Sequence, residues 1–145
     1  MNGMTIEALS ERMRQIDFAM LMTRTEGGHM AGRPMSNNGD VAYEGDSHFF
    51  TYEQSRTVAD IHRDPEVALS FAGKPSLLGK PGIFIAVQGK AELIRDKAAF
   101  ERHWVPDLER WFEQGVDTPG LVLIKVHAHR VHYWDGEAGG EVPLR

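Results

Sequence analysis

Apolar Ile6, Leu9, Met13 and Ile16 recur three or four residues apart, and Glu7, Glu11, Arg12 and Arg14 fill the positions between them. That period predicts an amphipathic helix over 5–17, with Thr5 placed to cap it. Strand-like segments follow at 18–25 and 29–35, joined by Glu26-Gly27-Gly28, whose paired glycines suit a hairpin turn. After the turn-rich Ser36-Asn37-Asn38-Gly39-Asp40, residues 47–52 predict another strand. The period lengthens again over 55–63, a short helix capped by Ser55 and ended by Asp64-Pro65. Val67, Leu69 and Phe71 then share one side of a strand over 66–72. Residues 73–82 hold three glycines, two prolines, Lys74 and Lys80, and predict a loop inside one domain. A bent strand over 83–94 has Gly89 as its bulge or corner, a helix covers 96–104, and Pro106 opens a further short helix to 112. Final strands are predicted at 121–126 and 130–134. The order predicts a mainly β fold, a small antiparallel barrel with peripheral helices, as one domain over 1–145.

Composition narrows the classes. The 145 residues include no cysteine, which excludes disulfide frameworks, thiolate metal sites and cysteine nucleophiles. Sixteen Lys and Arg against 21 Asp and Glu give a formal charge of −5, the wrong sign for general nucleic-acid binding. With 41% hydrophobic residues and neither a long apolar run nor a signal-like start, the expectation is a soluble, unprocessed cytoplasmic protein without a membrane partner.

Candidate chemistry gathers at two places. Thr51 to Arg56 joins a strand to a helix: Thr51 and Ser55 offer hydroxyls, the helix start offers N–H groups, and Arg56 can make charge-assisted bonds to phosphate. Ordinary capping and surface ion pairing explain the same residues. Arg33 reads either as a solvated strand-edge residue or as a phosphate clamp, and Met35 either fills the core or packs beside a planar ligand. Trp134 suits core or interface packing, or stacking on a flat ring. Trp104 and Trp111 cover the barrel or wall a substrate. His127, His129 and His132 lack coherent metal-ligand spacing, so no metal site is expected.

The segments GHMAGRPM at 28–35, HFFTYEQSRTVADI at 48–61, DPEVALSF at 64–71, FIAVQGKAEL at 84–93 and RVHYWDG at 130–136 stand in a telling order. Together they resemble the FMN-binding split β-barrel family that includes pyridoxamine 5′-phosphate oxidase, and within it the general stress protein 26-like branch. The resemblance spans roughly Ile6 to Gly136. It implies FMN as cofactor, with Arg33, Pro34, Met35 and Ser36 on a ligand-contacting strand and Phe50 and Thr51 beside the flavin. Ser55, Arg56 and Thr57 fall in the phosphate-binding turn, and Trp134 is supplied by the other subunit of a homodimer. Thr57 stands where larger relatives carry a basic residue, so Lys74 or Lys80 is a candidate replacement for that charge.

Other departures bear on activity. Phe84 lies near a position where the oxidases use Gln toward the flavin, and their terminal Arg-and-His segment has no match after Gly136. The resemblance therefore implies a small flavin-dependent reductase or oxidase-like protein linked to stress response, not pyridoxamine 5′-phosphate oxidase itself, with NAD(P)H or another small redox partner. Two alternatives stand beside it: a flavin-holding protein without turnover, and a dimeric interaction protein. No catalytic acid or base is assigned.

Overall fold

The structure, a computed structural model, describes residues 3–144. Seven strands form one antiparallel sheet: β1 (Phe18–Arg24), β2 (Met30–Ser36), β3 (Asp46–Tyr52), β4 (Glu66–Ala72), β5 (Phe84–Ile94), β6 (Leu121–Asp135) and β7 (Ala138–Val142). Their order is β2-β1-β4-β5-β6-β3, with β7 on the second half of β6. The helices are α1 (Ile6–Met13), α2 (Arg56–Arg63) and α3 (Lys97–His103), followed by 3-10 turns at Pro106–Arg110 and Gly115–Asp117. The ends of the hydrogen-bonded order, β2 and β3, do not pair with each other. This is the split that positions the site.

Alternation decides which side chains enter the barrel. Leu21, Leu69, Phe71, Ile85, Val87, Ile124, Val126 and Val131 point inward and are almost fully buried. The α1 stripe of Ile6, Leu9 and Met13, continued by Ile16 beyond the helix, closes one end of that core, as its spacing predicts. A second core forms outside the barrel. There Phe50, Leu121 and Leu123 from the outer faces of β3 and β6 meet Phe100, Leu108 and Phe112. Trp104 packs into this cluster, its ring 5.0 Å from Phe50 and 6.0 Å from Phe112. Burial of both β6 faces at 121–124 follows from having a core on each side.

Several boundaries differ from expectation. Helix α1 ends at Met13 rather than 17, because the Asn37 side-chain amide donates to the carbonyls of Met13 (3.0 Å) and Ile16 (2.8 Å) where the chain turns. The segment after Pro106 is a 3-10 turn ending at Arg110. The two strands predicted at 121–126 and 130–134 are one 15-residue strand, β6. A register shift opposite Gln88 and Gly89 takes up the extra residue, so Ala128 stays inside while His129 and Arg130 both lie outside. Strand β7 was not expected at all. It forms a hairpin with β6 through Gly136, whose φ of +63° suits a tight two-residue turn.

The irregularity expected at Gly89 falls there, but the extra residue, His129, belongs to β6 and Gly89 lies opposite it. A Cβ on Gly89 would lie 2.5 Å from the His127 carbonyl oxygen, a backbone atom that cannot swing aside. We expect Gly89→Ala to destabilise the fold by about 2 kcal/mol or more, read as a lower denaturation midpoint at unchanged slope.

Candidate functional site

The gap between the edge strands forms an open groove of about 340 Å³. One lip is Arg33 to Ser36 of β2, the other Phe50 to Tyr52 of β3, with Thr57 of α2 at one end. Phe18, Leu108, Trp111 and Phe112 complete an apolar wall. Seven of the ten residues proposed to hold a cofactor therefore meet here, Arg33, Pro34, Met35, Ser36, Phe50, Thr51 and Thr57, together with Trp111. Pro34 sits on an edge strand, where its missing N–H breaks no ladder.

Ser55 and Arg56 lie next to the groove without lining it. Ser55 Oγ accepts from the Val58 N–H at 3.3 Å, capping α2, and from the Thr51 hydroxyl at 3.4 Å. Capping and site positioning are thus the same contact. Arg56, the first residue of α2, is exposed and makes no ion pair with any described residue.

Arg33 has a different setting. Its Nη1 donates to Thr23 Oγ1 at 2.8 Å and to the Leu21 carbonyl at 3.2 Å, while Nη2 lies 3.7 Å from Asp60 Oδ2. Asp60 is buried on α2, accepts from the Thr23 hydroxyl at 2.8 Å, and also meets Arg63 at 3.3 Å. Burial lowers the Arg33 pKa, and the Asp60 carboxylate opposes that shift. A solvated strand-edge reading does not describe this arginine, which is oriented by a buried network. Asp60 was missed from the sequence. Its signal was an acidic residue one position before Ile61 and three after Thr57, on the face of α2 that turns inward.

Comparison with known proteins places this geometry. The family described as pyridoxamine 5′-phosphate oxidase like matches residues 4–143. The chain belongs to that family. Protein bli-3 of Neurospora crassa is 26% identical over 137 residues, which cover 88% of this chain and 63% of that protein, so the chain spans under two thirds of that relative's length. The general stress FMN/FAD binding protein of Xanthomonas citri shares the fold at a TM-score of 0.73 and 24% identity, covering 96% of this chain and 94% of that one. A heme binding protein of Mycobacterium smegmatis shares it at 0.77 and 15% identity, over 97% of this chain and 58% of that one. The fold is the split barrel of the pyridoxamine 5′-phosphate oxidase like family and its general stress members.

Within this family frame the remaining candidates separate clearly. Trp134 is half-exposed on the outer face of β6, beside Phe84 of β5 and 4.6 Å from the His132 ring, and does not line the groove of its own chain. Lys74 lines a hollow under α1 with Arg12 and Ile16, away from Thr57. Lys80 belongs to the same exposed loop, which leaves neither lysine in the groove. Glu53 is held by Arg95, whose Nη2 donates at 2.8 Å and draws the Glu53 pKa below its usual range. His127 and His129 stand edge to face at 6.3 Å, whereas His132 meets Trp134 at a tilt of 42°; the bulge returns it to the outer face. No described helix is long and apolar enough to cross a membrane.

One pair of groups went unnoticed in the sequence, His48 and His103, whose rings stack 3.7 Å apart at 14°. Burial, then the neighbouring His103, pushes the His48 pKa down from 6.5 to about 4, and burial lowers His103 as well. The folded state therefore resists protons that the unfolded chain accepts. Stability from this pair is complete above pH 6.5 and is lost as pH falls toward about 4, a window above that of Glu53 and Asp135, whose pKa values are both lowered. Denaturant titrations across that window are expected to show falling stability, and His48→Phe to flatten the fall.

Proposed function

We propose that the chain binds FMN in the β2–β3 groove of a homodimer and works as a small flavin-dependent redox protein of reductase or oxidase type. The observation that carries this reading is one groove with two chemistries. Phe18, Met35, Phe50 and Trp111 give a slot suited to a flat ring, and Thr51 and Thr57 lead to Arg33 and the α2 start. A phosphate at that end meets hydroxyl donors, a fixed arginine and Arg56, which has no ion pair with a described residue to surrender. The FMN/FAD binding name of the Xanthomonas neighbour supports the choice of flavin, and its general stress name supports a stress context.

When bound, the flavin supplies hydride and electron transfer with a partner such as NAD(P)H, and the chain holds and orients it. Among the described residues the groove lining contains no histidine or carboxylate to move a proton. That same lining favours the second reading, a protein that holds flavin without turnover.

Assembly follows from the outer face of the sheet. Phe18, Met20, Phe84 and Trp134 are between 40% and 51% exposed, and the strand registers set them among Pro34, Ala72 and Ala86. β6 borders the groove strand β3 only through its first half, residues 121–127, whereas Trp134 lies in its second half between β5 and β7. A two-fold partner brings its own Trp134 to the groove, and a symmetric contact does so twice.

Release of the chromophore by denaturation tests the cofactor: stoichiometric FMN is expected, and haem, or failure to bind added FMN, overturns it. Arg56→Ala is expected to weaken FMN by about ten- to a hundredfold in calorimetric titration while affecting riboflavin little. Equal weakening of both ligands removes Arg56 from the phosphate site.

Light scattering is expected to give about 33 kDa, twice the 16.3 kDa chain. A monomer that shields a fully bound flavin overturns the shared site. Trp134→Ala should weaken FMN and riboflavin alike.

A further inference from the structure

We propose that a recess opening off this groove is a second binding site, taking a small uncharged ring compound with hydrogen-bonding carbonyl, amide or ring-nitrogen groups and rejecting phosphorylated or carboxylated ones. It rests on the flavin reading only in making this molecule the flavin's neighbour. The recess, about 190 Å³, lies between the β2–β3 connection and the α3 segment, and shares Ser36, Phe50 and Leu108 with the groove. It is large enough for one substituted ring.

Its polar lining has bonding capacity to spare. The stacked rings of His48 and His103 both line it, and neither makes a hydrogen bond to a described residue. Asn38 accepts the Asp40 N–H at 2.9 Å through Oδ1, which leaves its NH₂ group to donate. A smaller hollow of about 40 Å³ touches the same two histidines and is lined by Tyr43, whose buried hydroxyl has no partner among the described residues. Burial holds both imidazoles neutral at pH 7, so each offers one donor and one acceptor rather than a positive charge.

The charges around the recess set its selectivity. Among the described residues no lysine or arginine lines it, whereas Asp40 and Asp107 do. Arg110, in the adjoining outer groove, is paired with Asp107 at 3.2 Å, and Arg14, at the smaller hollow, donates to the Gly39 carbonyl at 2.8 Å and meets Glu11. Lys125, behind His48, faces Asp46 at 3.7 Å. Arg102, exposed beside His103, acts on that ring from outside the lining. An anion placed in the recess meets two carboxylates in its lining and no lysine or arginine among the described residues that line it. A neutral amide or carbonyl meets donors and acceptors without that repulsion.

Nicotinamide and nicotinate, alike in shape and different in charge, are the probes. Each is titrated into the protein with and without FMN, following the imidazole proton signals by NMR. Nicotinamide is expected to move the His48 and His103 signals saturably, with nicotinate about tenfold weaker or more. His48→Phe keeps an aromatic stack but removes the nitrogens, and should weaken nicotinamide about tenfold with FMN affinity and the pH 7 unfolding midpoint unchanged. His103→Phe repeats the test if the first variant does not fold. Unmoved signals, nicotinate binding as tightly as nicotinamide, or a folded variant with unchanged affinity overturns the site. FMN binding is read separately from flavin absorption. A chain that takes no FMN but binds nicotinamide at His48 overturns the cofactor and keeps the recess; a flavin-loaded chain that ignores nicotinamide does the reverse.

Discussion

The gap between β2 and β3 is the constraint on which the rest of the molecule turns. A closed barrel would pair these edges and fill the space with ladder hydrogen bonds. Here each edge strand is held from its other side, β2 by β1 and β3 by β6. Phe49 and Phe50, adjacent on β3, point into different cores. β3 is thereby fixed from both faces, and the groove keeps its width without a bond across it. The connection from β2 is tied down as well, since Asn37 spends its side-chain amide on the end of α1.

Electrostatics sets Arg33, in the groove, apart from Arg56, beside it. Burying the Asp60 carboxylate costs desolvation, offset by the Thr23 hydroxyl and by Arg33 and Arg63 on either side. The return is an Arg33 whose guanidinium plane is set before any ligand arrives. Arg56 is the opposite case, exposed and without an ion pair to any described residue, so it would surrender conformational entropy in the proposed complex. A phosphate held between them would gain orientation from the first and charge from the second.

Local signals made much of this legible from residues alone. Asp64-Pro65 and Gly73 bracket β4, so its limits and its inward Val67, Leu69 and Phe71 were fixed by neighbours in sequence. Ser55 was readable as a cap because capping is a contact across three residues. Strand β7 was not, since Ala138-Gly139-Gly140-Glu141 has no apolar alternation and owes its form to pairing with β6. The Arg33–Asp60 and His48–His103 contacts join residues far apart in the chain, and no spacing rule reaches that far. Family resemblance named Arg33 as a ligand residue. It said nothing of what holds Arg33 in place.

Trp134 stands on the outer face of the sheet, apart from its own groove. Its own barrel has no use for it, because the inward neighbours Tyr133 and Val131 already fill the core. It is presented on a strand buttressed on both sides, β5 at Phe84 and β7 at Gly139, where the absent side chain leaves the indole edge uncovered. In the proposed dimer this rigid edge supplies the wall that each groove lacks. Flavin affinity would then depend on protomer concentration, since dissociation of the subunits strips both grooves at once.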